Sequence, residues 1–490
     1  MVVMASAIVS GLFQQGGRKM KSKDDMVIDN PLGSQYDPLV IPKGAYVVHM
    51  NAPQVFAEPA LAIKEALEHP IASGSLAAIA RKKKASCGKE HPTVALVVSD
   101  NTRPVPYKGE EGILLPTLEV LFAEGYRAEE ITILIATGTH RAMTEPEIRG
   151  MIDSRILDMG IKVINHDCRD EGSLVHLGDT RRGTKVLIDR NYVDADLKIA
   201  TGLVESHFMA GASGGRKAIC PGLIGEQSTY VFHGAELMAD RNSRDLNLEG
   251  NPVHAESLEV AKMATVDFLV NVTLDHAFHI TGIFCGDLEQ AHLAAVEKIK
   301  GTVGVSVPKA ADIVVTHGGF VGINHYQTAK CAVASLGILK KDGWLVIVAD
   351  TTDEANVVGA VTYRTTLALL KLVGSRNFLR TICSPDWTFI PDQWQVQQWA
   401  KVFDRIPMDH MIFYSPKLDM TWWPGIPGID GHRFLSEEEQ AHPGKDCFTK
   451  VVSSSLSYIE DQTGRSLDTM QVAYVSEGPY VIPRSEEPVF

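Results

Sequence analysis

The residues of this chain that could do chemistry fall into short polar clusters, each following an apolar run. Ser99-Asp100-Asn101-Thr102-Arg103 follows the first run, Thr139-His140-Arg141 the second, and Asn165-His166-Asp167 the third. Glu205-Ser206-His207 and His317-Gly318-Gly319 repeat the pattern further on. Imidazoles beside carboxylates and hydroxyls suit proton transfer at neutral pH, because an unperturbed histidine titrates at about 6.5. Guanidinium and ammonium groups suit the binding of small anions. Any one cluster reads as an ordinary polar turn. Five of them after successive strand-like runs point to one ligand-binding edge, because open α/β sheets bind ligands outside the carboxyl ends of their strands.

The densest stretch is 205–234, ESHFMAGASGGRKAICPGLIGEQSTYVFHG. Its glycines at 211, 214, 215, 222 and 225 permit close backbone approach and expose amides to an anion. The GxxxxGK[ST] phosphate loop is absent. A flexible linker would have no need of His207, Lys217 and His233. Of the adjacent Arg216 and Lys217, only the lysine loses its proton readily enough to form a covalent bond through nitrogen. Alone, His140 reads as a cap for the helix that follows it. His166, with Asp167 and Asp170, has the composition of a metal-ligand cluster, and a structural loop is the simpler reading.

SDNTRP at 99–104, GTHR at 138–141, SHFMAGASGGRK at 206–217 and the later His233 resemble, in order and spacing, the nickel-dependent lactate racemase family. Tyr326-Gln327-Thr328-Ala329-Lys330 is a further match. The resemblance spans most of the chain; the segment before residue 45 and the Trp-rich region 384–443 fall outside it. It implies a racemase or epimerase that inverts C2 of a 2-hydroxy acid by proton-coupled hydride transfer. The cofactor it implies is nickel(II) pyridinium-3,5-bisthiocarboxylic acid mononucleotide, the nickel-pincer nucleotide, attached covalently to Lys217. By the same resemblance His233 ligates nickel, which suits an imidazole donor, and His140 and His207 are the acid and base. Asp100, Asn101, Thr102 and Arg103 form a loop that contacts the cofactor, with Asn101 standing where the family pattern has histidine. Arg103, Gln327 and Lys330 hold the substrate carboxylate. The implied partners are a small 2-hydroxy acid and the host enzymes that build the cofactor and insert nickel. Two other readings of the same residues stand beside this one. One is a metal-dependent hydrolase built from His140, His166, Asp167, His207 and His233. The other is a non-catalytic nucleotide- or metal-binding relative, against which the presence of both His140 and His207 speaks.

The elements that must position these groups alternate. Apolar runs at 93–98, 131–136, 161–164, 185–188, 197–200, 267–272 and 280–285 read as strands, and 112–123 and 288–300 as helices. Thr144, with Pro146 and Glu147 behind it, has capping-box spacing at a helix start. A second unit follows, with strands at 313–316, 344–349, 411–414 and 470–475 and helices at 325–339, 365–373 and 448–459. This alternation gives an α/β fold: two Rossmann-like lobes with mostly parallel sheets and an interlobe active-site cleft. The expected boundaries are an N-terminal extension over 1–45, a catalytic and cofactor-binding domain over 46–305, and a second domain over 306–465. The resemblance implies that the tail from 466 to 490 returns to complete the first domain.

A chain of 490 residues is too long for one core. Its net charge of −13 argues against a nucleic-acid platform, which needs a basic face. Seven cysteines without a CxxC pair read as reduced thiols, and with no apolar run of membrane-spanning length the expectation is a cytoplasmic protein. The mildly apolar start, 1–13, lacks a basic leader region and reads as a disordered extension.

Overall fold

Six strands carry the candidate residues of the first half, and each is short, apolar and rich in β-branched side chains. They are β1 (Val94–Ser99), β2 (Ile131–Ala136), β3 (Lys162–Asn165), β4 (Leu197–Leu203), β5 (Phe268–Leu274) and β6 (Ile280–Gly286). In this computed structural model, which describes residues 25–352 and 360–489, they form one sheet in the order β6-β5-β4-β1-β2-β3. All neighbours are parallel except the antiparallel pair β5–β6 at one edge. The central strand β1 is buried from Val94 to Val98, as a strand covered on both faces must be. One face packs on the helices Pro59–Glu68, Leu76–Ser86 and Leu114–Ala123, through Ile63, Leu76, Leu118 and Leu121. This unit spans 50–304 and also takes in 379–397, a segment from the second half of the chain.

The second unit comprises the described residues up to His49 together with 305–378 and 398–490. Its sheet is wholly parallel, in the order Ile429–Asp430, Met411–Tyr414, Leu339–Val348, Ala311–His317, Val472–Val475, Tyr46–Val48. Two expectations are corrected here. The C-terminal tail does not complete the first unit, because Val472–Val475 pairs with Ala311–His317. Nor is the stretch before residue 45 a tail throughout. Met26–Ile28 and Leu39–Ile41 form an antiparallel pair, and Leu39 and Ile41 pack with Phe448, Val451 and Leu456. Three-residue strands leave no periodicity to read, which is why the sequence hides them. The start at 1–13 lies outside the described residues.

Smaller differences have local causes. Lys185–Asp189 pairs with Leu174–Asp179 as a separate antiparallel ribbon, outside the six-stranded sheet. The helix starting at His325 stops at Ser335 and the chain turns at Gly337, where a side chain would collide with the Pro483 carbonyl. The Thr144 capping box forms as expected, with Glu147 accepting from the Thr144 amide at 2.7 Å. All seven cysteines are free thiols, and among the described residues no helix is long and apolar enough to cross a membrane.

Candidate active site

Because β1, β2, β3 and β4 run parallel, the loops after them leave the same edge of the sheet. That edge is braced from beneath. The Tyr107 hydroxyl accepts from the Ser99 amide at 2.7 Å and meets the Thr201 hydroxyl at 2.8 Å, while Thr201 donates to the Val97 carbonyl. The ends of β1 and β4 are thereby tied together.

Asp100, the first residue after β1, is 5% exposed. Its carboxylate accepts from His140 Nδ1 at 2.7 Å through one oxygen and from the Thr102 amide and hydroxyl through the other. Burial pushes this carboxyl up, but His140, the Thr102 hydroxyl and the Arg103 charge outweigh it and hold it below its ordinary value. Asp100 is therefore ionised, and His140 donates Nδ1–H to it. In its neutral form the His140 ring would then present a bare Nε2. Arg103 Nη1 lies 3.2 Å from Glu205 Oε1. Asn101 turns instead toward the capping residue Glu147, at 3.3 Å.

After β4 the chain forms the small ribbon Ser206–His207 with Gly211–Ala212 and then a tight turn, Gly215–Ala218. Gly214 and Gly215 have φ of 69° and 53°, and a Cβ on Gly215 would sit 2.6 Å from the His292 ring. Only glycine serves there. The Gly215 amide donates to Asn271 Oδ1 at 2.8 Å, which fixes the turn to β5. His207 is buried, and its Nδ1 accepts from the amides of Met209 and Ala210 at 3.3 and 3.2 Å. When this ring is neutral its proton sits on Nε2, and that nitrogen lies 3.3 Å from Lys217 Nζ, which accepts from it as the uncharged amine. Lys217 Nζ also lies 5.6 Å from the centre of the Phe232 ring.

His233 follows the short helix Thr229–Phe232 and is buried under Trp394, whose ring stacks on it at 4.8 Å. Burial, then the charges of Lys217 and His140, push this imidazole well below the ordinary histidine range. It is neutral, the form that binds metals. His233 Nδ1 is buried without a hydrogen-bond partner, and a buried bare ring nitrogen calls for an explanation. A metal bond is one that fits.

Gln327 and Lys330 lie half-buried on the helix His325–Ser335 of the second unit, with the Gln327 amide capped by Asn324. His166 is structural: buried, it joins Asp189 at 2.9 Å and the Ile224 carbonyl at 3.0 Å. Among the described residues no three His, Cys, Asp or Glu side chains converge as metal ligands. Several contributors were not read from the sequence. Trp394 lies at the start of the helix Gln393–Arg405, far along the chain, and nothing local marks its partner. Arg216, buried and bonded to the Ala210 carbonyl and His292, supports the glycine turn from within. Glu205 had a signal, an acid two residues before His207, but its pairing with Arg103 needs the fold.

Residues 32–245 match a family model described as the lactate racemase N-terminal domain. The lactate racemase of Thermoanaerobacterium thermosaccharolyticum is 32% identical over 375 residues, covering 75% of this chain and 80% of that one. The lactate racemase of Lactiplantibacillus plantarum is 31% identical over 359 residues, covering 73% and 80%. The solved lactate racemase apoprotein from T. thermosaccharolyticum superposes with a TM-score of 0.76 at 26% identity, covering 94% of this chain and all of that one. A Thermotoga maritima protein shares the fold alone, with a TM-score of 0.57 at 15% identity.

Proposed function

The chain belongs to the lactate racemase family, and on that footing we propose that it inverts C2 of a 2-hydroxy acid by proton-coupled hydride transfer, with a nickel-pincer nucleotide carried on Lys217. The observation that carries this reading is the meeting of Lys217 with His207 at 3.3 Å, in the electrostatic neighbourhood of His233 and His140. The chain's residues fit the group. Lys217 offers the amine, the glycine turn lets backbone approach closely, and His233 offers a buried nitrogen with no other partner. Lys217 would hold the nucleotide and His233 its nickel. When bound, the group supplies a reversible two-electron acceptor for the hydrogen on C2.

The rest falls to the protein. His140, oriented by Asp100, presents the lone pair that takes the substrate hydroxyl proton. His207, with Nδ1 fixed by two backbone amides, presents an Nε2–H toward the oxygen to be reprotonated. Inversion needs a proton removed by one residue and returned by another, and the two rings are held in complementary states for that task. The roles exchange when the opposite enantiomer enters. Arg103 would meet the substrate carboxylate with its N–H groups and keep the keto acid in place while it turns over. By the family resemblance, Gln327 and Lys330 would add donors to that carboxylate.

Polarimetry tests the proposal. Protein from a nickel-supplied host with the cofactor pathway should carry either enantiomer of a 2-hydroxy acid to the racemate. Lys217→Ala should lose both cofactor retention and racemisation; a fully active variant overturns the assignment.

A further inference from the structure

We propose that Glu205 sets the substrate class of this site by sharing Arg103 with the incoming carboxylate and excluding a second one. The inference rests on the racemase reading above and narrows it to 2-hydroxy acids with a single carboxylate and an uncharged tail.

Arg103 and Glu205 come from the loops after β1 and β4, and their side chains are 22% and 28% exposed, so the pair lies neither on the open surface nor in the core. Glu205 is held from both sides of its own backbone. Its amide donates to the Ser213 hydroxyl at 2.9 Å, and its carbonyl accepts from the Ser213 amide at 2.9 Å. Its carboxylate is therefore a placed charge beside Ser206 and His207. Arg103 is placed too: its amide donates to the Asp100 carbonyl and its own carbonyl accepts from the Val105 amide. The Asp100 carboxylate, which Arg103 helps to keep ionised, lies on the same loop.

One carboxylate thus already faces the guanidinium before any substrate arrives. A guanidinium has five N–H donors, so it can serve Glu205 and one further carboxylate side by side. A monocarboxylate therefore finds donors at Arg103. The second carboxylate of a malate-like acid finds Glu205 instead, at partly desolvated range, where like charges repel strongly. Discrimination by a built-in repulsion is how sites reject a near-identical ligand that attraction alone would admit.

Glu205→Gln keeps the shape and removes the charge; Glu205→Asp keeps the charge. In cofactor-loaded enzyme, the kcat/KM for malate relative to lactate should rise about tenfold or more in Glu205→Gln, equivalent to ~1.4 kcal/mol, with the gain mainly in KM. Glu205→Asp should retain the wild-type ratio. In cofactor-free protein, calorimetric titration with oxalate, a dianion, should show binding strengthened by a similar factor in Glu205→Gln, with glyoxylate, a monoanion, changed less. An unchanged malate-to-lactate ratio and unchanged oxalate binding, in a variant that melts like the wild type, overturn the proposal. If no 2-hydroxy acid is turned over by any form, the racemase reading fails. The oxalate arm then still decides whether Glu205 guards Arg103.

Discussion

Replacing Asp100 with asparagine should disable the site without unfolding it. The carboxylate accepts a 2.7 Å bond from His140 Nδ1, and a hydrogen bond to a charged group contributes ~1.5–3 kcal/mol. The His140 side chain is 43% exposed, so water replaces part of that, leaving about 1–2 kcal/mol, or roughly five- to thirtyfold in rate. The larger loss comes from the tautomer. An asparagine amide can donate to Nδ1, which moves the ring proton to Nε2 and removes the lone pair that takes the hydroxyl proton. A correctly placed general base contributes about 10²–10⁴-fold, so kcat should fall about 10²–10³-fold, with KM little changed. The acid side of the stability curve should change as well. The Asp100 carboxyl is held below its ordinary value in the folded protein. Its contribution is therefore present above about pH 4 and is lost as pH falls through the lower folded value. The asparagine variant lacks that contribution. Polarimetric kcat against pH, beside melting curves, checks both effects. A variant with kcat within about threefold of wild type would refute the reasoning, because His140 would then need no orienting partner.

Other outcomes follow from particular contacts. Gly215→Ala places a methyl 2.6 Å from the His292 ring at a φ of 53°, and left-handed backbone alone costs about 1–2 kcal/mol. The variant should melt lower than wild type and retain less cofactor, by thermal scan and bound nickel. His317 is buried and pushed down to about 4, with Nε2 donating to the Ser476 carbonyl and Nδ1 accepting from the Gly319 amide. The unfolded chain takes up this proton first, so stability should fall as pH drops from about 6.5 toward 4, and His317→Gln should flatten that part of the melting profile.

The α/β class, the long parallel strands and the capping box were legible because each rests on local pattern: β-branched apolar runs, or a Thr and a Glu three residues apart. The clusters around Asp100, His140 and His207 were legible for the same reason, as polar residues at strand ends. What stayed hidden needs three dimensions. Trp394 reaches His233 from 161 positions later in the chain, and Tyr46–Val48 pairs with Val472–Val475 across almost the whole sequence. Asn101 reaches Glu147 at the helix start that follows β2, a pairing that likewise needs the fold. The family resemblance named the roles of Lys217 and His233. The fold adds why such roles are open to them: an amine beside an imidazole, and a buried ring nitrogen with nothing else to bind.

The most direct measurement is the mass of the peptide that contains Lys217, taken from native protein made in a nickel-supplied host with the cofactor pathway. The account predicts a nucleotide-sized addition on Lys217, about one nickel per chain in the intact protein, and neither in Lys217→Ala. An unmodified Lys217 in protein that racemises a 2-hydroxy acid would contradict it.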